Sequence, residues 1–157
     1  MTTRRHLQQA EALIRGTGAR VTAPRIEVLA ALLAAEHALT HQELEQRVDS
    51  RRDIDRVTIY RVLEWLTAQA LAHRIAGDDR TWRFNAAGHT HGGDHAHFKC
   101  NRCSTVLCLE EFSASPVVRL PRGFRSQQVE LTVKGLCAGC VDTNERKRGA
   151  ALQRQRH

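Results

Sequence analysis

Asp55-Arg-Val-Thr-Ile-Tyr60-Arg-Val-Leu-Glu-Trp-Leu-Thr-Ala-Gln-Ala70 leads directly into Leu71-Ala-His-Arg-Ile-Ala76. In the first stretch Ile59, Val62, Leu63, Leu66 and Ala70 recur at helical spacing, and Asp55 stands where an N-cap belongs. The second alternates, as does Thr81-Trp-Arg-Phe84 beyond Gly77-Asp78-Asp79, so a β-hairpin is expected after the helix. Upstream, Leu7, Ala10, Leu13 and Ile14 predict an amphipathic helix that stops at Gly16-Thr17-Gly18. Thr22 and Pro24 start a second helix carrying Ile26, Leu29, Ala30 and Leu33, and Thr40-His-Gln-Glu43 is a capping box before Leu44 and Val48. Three helices, a fourth with an exposed face, and a hairpin make a winged helix-turn-helix.

The fourth helix keeps Arg56, Tyr60, Arg61 and Glu64 off its apolar stripe. Tyr and Arg projecting from the first half of such a helix can reach base edges and phosphates in a major groove. A solvated face with a partly packed Tyr60 is the plain alternative. Arg74, Arg80 and Arg83 on the hairpin could touch the DNA backbone or simply be surface charges. Net charge does not decide the partner. The total is +7, but residues 1–80 hold 12 basic and 11 acidic residues. The excess lies further on, partly in the tail 142–157, which lacks an apolar face and reads as disordered.

The second half is dominated by Cys100/Cys103 and Cys137/Cys140. Two Cys-x-x-Cys pairs supply the four thiolates of a tetrahedral zinc and would clamp two distant chain segments together. Redox disulfides or unrelated thiol pairs are the competing reading. Only 4% of residues are aromatic, so a structural metal would supply stability that a small core lacks. Just before the first pair, His89, His91, His95 and His97 fall within nine residues, a density that points to a second, adjustable metal. His73 lies on the inward side of its strand, held either by a metal or by an ordinary hydrogen bond. Cys108 is either a ligand or a small buried hydrophobe. Strand-like segments near 96–100, 105–112 and 128–134 predict a small α+β unit whose open edges suit dimerisation. Pro116 and Pro121 leave room for only a short helix between the last two.

In combination and order, four motifs resemble the ferric uptake regulator superfamily over nearly the whole chain. They are Arg20-Val-Thr22-Ala-Pro-Arg25, Val57-Thr-Ile-Tyr60-Arg61-Val-Leu63, His95-Ala-His97-Phe-Lys-Cys100-Asn-Arg-Cys103 and Gly135-Leu-Cys137-Ala-Gly-Cys140. The ending is most similar to the zinc uptake branch. The resemblance implies an α+β homodimer: a winged-helix DNA-binding domain at 1–85, a His/Gly-rich hinge at 86–94, and a metal-binding dimerisation domain at 95–141. It also implies one structural zinc per chain on the four paired cysteines, and at least one regulatory zinc at a site between the domains. Carried across, the regulatory positions fall on His73, Asn85, His95, His97 and Cys108. Asn85 is a poor ligand, and Cys108 replaces a carboxylate. His89, His91, Glu110 and Glu111 are therefore substitute ligands, and the softer donor set favours zinc over iron. Ser104 stands where the family usually has Gly.

The function expected is a zinc-responsive repressor whose metal-loaded dimer binds palindromic operators of zinc-uptake genes. Tyr60 and Arg61 would contact bases, with Arg56, Thr58, Gln42 and Arg20 in support. A family member responding to iron, nickel or peroxide is the nearest alternative, and a zinc store or chaperone a more distant one. An enzyme is not expected, because no His-Glu-x-x-His pattern or positioned general base is present. No apolar run reaches the ~18 residues of a membrane span, and no signal peptide opens the chain, so a cytoplasmic protein without membrane or small organic partners is expected.

Overall fold

The computed structural model describes residues 2–48, 54–77, 80–87, 96–109, 119–126, 129 and 131–141. The chain divides into two compact units, Met1–His91 and Gly92–His157.

In the first unit, α1 (Arg4–Gly16) and α2 (Ala23–Leu33) are followed by a two-residue strand β1 (Leu39–Thr40) and α3 (His41–Arg47). Then come α4 (Arg56–Ala68) and the hairpin strands β2 (Ala72–Ala76) and β3 (Trp82–Ala86). The starts of the helices follow their local chemistry unevenly. Thr40 and Glu43 form the reciprocal capping box, and Asp55 accepts the Thr58 backbone N–H at 2.6 Å. Thr22 occupies the N-cap of α2 without a side-chain hydrogen bond, so Pro24 carries that boundary. The core gathers Ile14, Val28, Leu29, Leu32, Leu39, Leu44, Ile59, Leu63 and Leu66, all essentially excluded from solvent. The sheet has the order β1-β3-β2, antiparallel throughout, with Leu39 opposite Phe84 and His73 opposite Asn85. This is the expected winged helix with one short strand added.

In the second unit, β4 (Ala96–Cys100) lies between β5 (Val106–Leu109) and β6 (Leu131–Gly135). β5 pairs antiparallel and β6 parallel. β6 starts three residues later than the pattern around 128–134 suggested. Most of the proline-containing stretch between β5 and β6 lies outside the described residues, as do most of the expected hinge and the basic tail.

Candidate metal centre and nucleic-acid interface

The end of β4 and the end of β6 bring the four paired cysteines together. Cys100 closes β4, opposite Gly135 of β6, and the Asn101 N–H donates to the Gly135 carbonyl at 2.8 Å. That pairing sets Cys137 two residues beyond the strand, where its N–H donates to Cys100 Sγ at 3.4 Å. A helical turn over 138–141 then carries Cys140 back, and its carbonyl accepts from Arg102 Nη1 at 3.1 Å. All four Sγ atoms lie within 4.8 Å of one another, with Cys103 and Cys137 at 3.6 Å. The edge of a tetrahedron around zinc with Zn–S near 2.3 Å is ~3.8 Å, so the donor set fits that ion.

Electrostatics point the same way. Backbone hydrogen bonds from Cys103 and Cys137 draw the Cys100 thiol down to about 6. The Thr105 hydroxyl, 3.1 Å from Cys103 Sγ, lowers Cys103 as well. Burial first, then the neighbouring thiols, push Cys140 up to about 12. Thiols packed this closely cannot all ionise unless a cation joins them.

The other expected ligands are placed element by element. In the second unit His97 and Cys108 are direct cross-strand partners on β4 and β5; His97 is buried and Cys108 half-buried. In the first unit His73 is half-buried on β2, opposite Asn85 of β3. His89, His91, His95, Glu110 and Glu111 lie outside the described residues.

On α4, Tyr60 is 50% exposed, and Arg56 and Arg61 are also at the surface. Arg56 is held by an ion pair to Glu45 at 3.4 Å. Thr58 is half-buried, and its backbone serves the Asp55 cap. Gln42 and Arg20 are exposed. Arg25 anchors the loop carrying Arg20: its guanidinium lies 3.7 Å from the centroid of the Trp65 ring, and Nη1 donates to the Arg20 carbonyl at 2.6 Å. On the wing, Arg74 stacks on half-exposed Trp82 at 4.2 Å. Arg83 is buried, which removes it from the surface charges the alternation suggested. Two features escaped the sequence reading. Val57, 55% exposed, shares the face of Tyr60 and Arg61, and its position among polar residues was the available signal. His41 stacks on Tyr60, and no periodicity marks such a contact.

The sequence pattern of the ferric uptake regulator family matches residues 16–133. The chain is 28% identical over 130 residues to the transcriptional regulator FurA of Mycobacterium tuberculosis, covering 81% of this chain and 86% of that protein. It is 27% identical over 148 residues to the zinc uptake regulation protein of Escherichia coli, covering 90% of this chain and 84% of that protein. Among solved structures, a zinc uptake regulator complexed with zinc and DNA superposes with a TM-score of 0.65 at 22% identity, covering 92% of this chain and 99% of the other. Among the described residues no helix is long and apolar enough to cross a membrane.

Proposed function

We propose, for a chain that belongs to the ferric uptake regulator family, a zinc-responsive repressor that works as a homodimer in the cytoplasm and binds palindromic operators of zinc-uptake genes. Cys100, Cys103, Cys137 and Cys140 hold a structural zinc. His97 and Cys108 form the centre of the regulatory site, to which the family resemblance adds His73 and His95. The observation that carries the zinc reading is the His97–Cys108 pair itself. A nitrogen and a sulfur donor facing each other across two strands suit zinc better than ferrous iron, which prefers a carboxylate at such a position. The similarity to the E. coli zinc uptake regulation protein supports the same reading.

Zinc at the regulatory site supplies binding free energy that favours the DNA-competent state. A coupling of ~1–3 kcal/mol gives roughly 5–150-fold tighter operator binding. Tyr60 and Arg61 make the base contacts, and Arg56, Thr58, Gln42 and Arg20 position the helix on the backbone. Operator-type DNA binding, titrated with buffered zinc and separately with ferrous iron, tests this. Tightening by zinc where iron does nothing is expected; activation by iron alone would replace zinc with iron as the signal. Arg61→Ala is expected to cost ~1–3 kcal/mol of operator affinity, as for a bidentate contact to guanine, and to leave zinc content unchanged.

A further inference from the structure

The ring of Tyr60 does not stand free on the recognition helix. His41, the first residue of α3, lies against it with ring centroids 3.6 Å apart and planes 18° from parallel. His41 is 9% exposed and Tyr60 50%, so one face of the tyrosine is covered while the rest of the ring meets solvent. A groove of about 690 Å³ opens beside both rings, lined further by Leu63, Trp82 and Phe84. Without a ring beneath it, Tyr60 has open space to turn into. We propose that His41 is the positioning residue for DNA reading: its neutral ring, seated under Tyr60, holds that side chain toward the DNA. This rests on the regulator reading above.

The surroundings keep His41 neutral. Burial and then the nearby Arg56 guanidinium lower its pKa, against opposing contributions from Glu45 and a hydrogen bond with the Arg56 backbone. Among the described residues Nε2 is buried without a hydrogen-bond partner. An imidazolium is protonated on both nitrogens, so its Nε2–H would be a buried donor with no acceptor among the described residues. The groups facing this site carry mixed charge. Glu45 comes from α3, Arg56 and Glu64 from α4, and Arg74 and Arg80 from the hairpin, whose Trp82 and Phe84 are uncharged. As pH falls below the ordinary histidine value of about 6.5, an imidazolium forms only if the ring leaves its seat for water, and Tyr60 is released.

The test is operator binding at saturating buffered zinc, from pH 8 down to about 5.5, for wild type, His41→Ala and His41→Phe, with non-sequence-specific DNA alongside. A stacked pair is worth ~0.5–1.5 kcal/mol, so His41→Ala at neutral pH is expected to weaken operator binding about 2–12-fold. Non-specific affinity and zinc content should be little changed, and the melting temperature should fall by no more than the several degrees that loss of the stack accounts for. His41→Phe keeps the stack and cannot be protonated, so it should restore neutral-pH binding and lose affinity less steeply on acidification. pH effects common to all three proteins cancel, and only the difference between wild type and His41→Phe belongs to His41. Superimposed pH profiles, or a folded, zinc-loaded His41→Phe no better than His41→Ala, would overturn the proposal. Failure of wild type itself to bind operator DNA would remove the regulator reading on which it rests.

Discussion

Ala70 and Ser104 hold backbone conformations that favour glycine, at φ 56° and 59°. Ala70 follows the C-cap of α4, where the Leu71 N–H reaches back to the Leu66 carbonyl at 2.9 Å and closes the helix. Ser104 turns the chain out of the first Cys-x-x-Cys, its N–H donating to the Cys100 carbonyl at 3.1 Å. A left-handed L-residue costs ~1–2 kcal/mol, and glycine gives back ~0.5–1 kcal/mol through its freer unfolded chain. Ala70→Gly and Ser104→Gly are each expected to stabilise their unit by ~0.5–1 kcal/mol, read from denaturant unfolding of the zinc-loaded protein. Ser104 was legible in advance because the family pattern has glycine there; Ala70 was not, since nothing in Thr-Ala-Gln-Ala-Leu requires a positive φ. Conformations and ring contacts set by tertiary packing leave no periodic trace, and the His41–Tyr60 stack belongs with them.

The start of α3 shows what local chemistry does reveal. Thr40 Oγ1 accepts the Glu43 N–H at 3.2 Å, and Glu43 returns the bond by accepting from the Thr40 N–H at 2.7 Å. Both partners sit within four residues, so the sequence was enough to place this end. β1 was not legible because two residues cannot alternate; Leu39 and Thr40 become a strand only through Phe84 and Arg83 opposite them. The parallel pairing of β4 with β6 is likewise a long-range choice that local pattern does not encode. Thr40→Ala removes one half of the box and is expected to cost ~1 kcal/mol, a fall of about 4–8 °C in Tm for a unit of this size. Burial pushes the Glu43 carboxyl up, but the Thr40 hydrogen bonds outweigh it and its pKa is lowered. A lowered carboxylate binds its proton less readily folded than unfolded. Its stabilisation is therefore full above the ordinary Glu range and is lost as pH falls through the folded value. Glu43→Gln should accordingly flatten the acid limb of stability against pH; an unchanged limb would mean that the box contributes nothing through charge.

The two units differ in what holds them together, and this decides how the molecule responds to losing metal. Every member of the large apolar cluster lies within residues 1–91. In the second unit, among the described residues, only Ala96, Cys100 and Val106 are buried apolar groups. The four cysteines were legible because spacing alone gathers them. The expected regulatory donors lie on separate strands, His73 on β2, His97 on β4 and Cys108 on β5, or outside the described residues, so spacing alone does not gather them. Structural zinc contributes ~10–16 kcal/mol in zinc-finger peptides, against a total stability of ~5–15 kcal/mol for a whole domain. A three-stranded sheet with so small a core cannot absorb that loss. Stripping zinc with a strong chelator under reducing conditions, or substituting Cys137→Ser, is expected to abolish amide-exchange protection over 96–109 and 131–141. Protection across α1–α4 should persist, because their core contains no metal ligand. Uniform loss of protection in both units would show that the winged helix depends on the zinc clamp for its own stability, and retained protection in β4–β6 would show that the sheet stands without it.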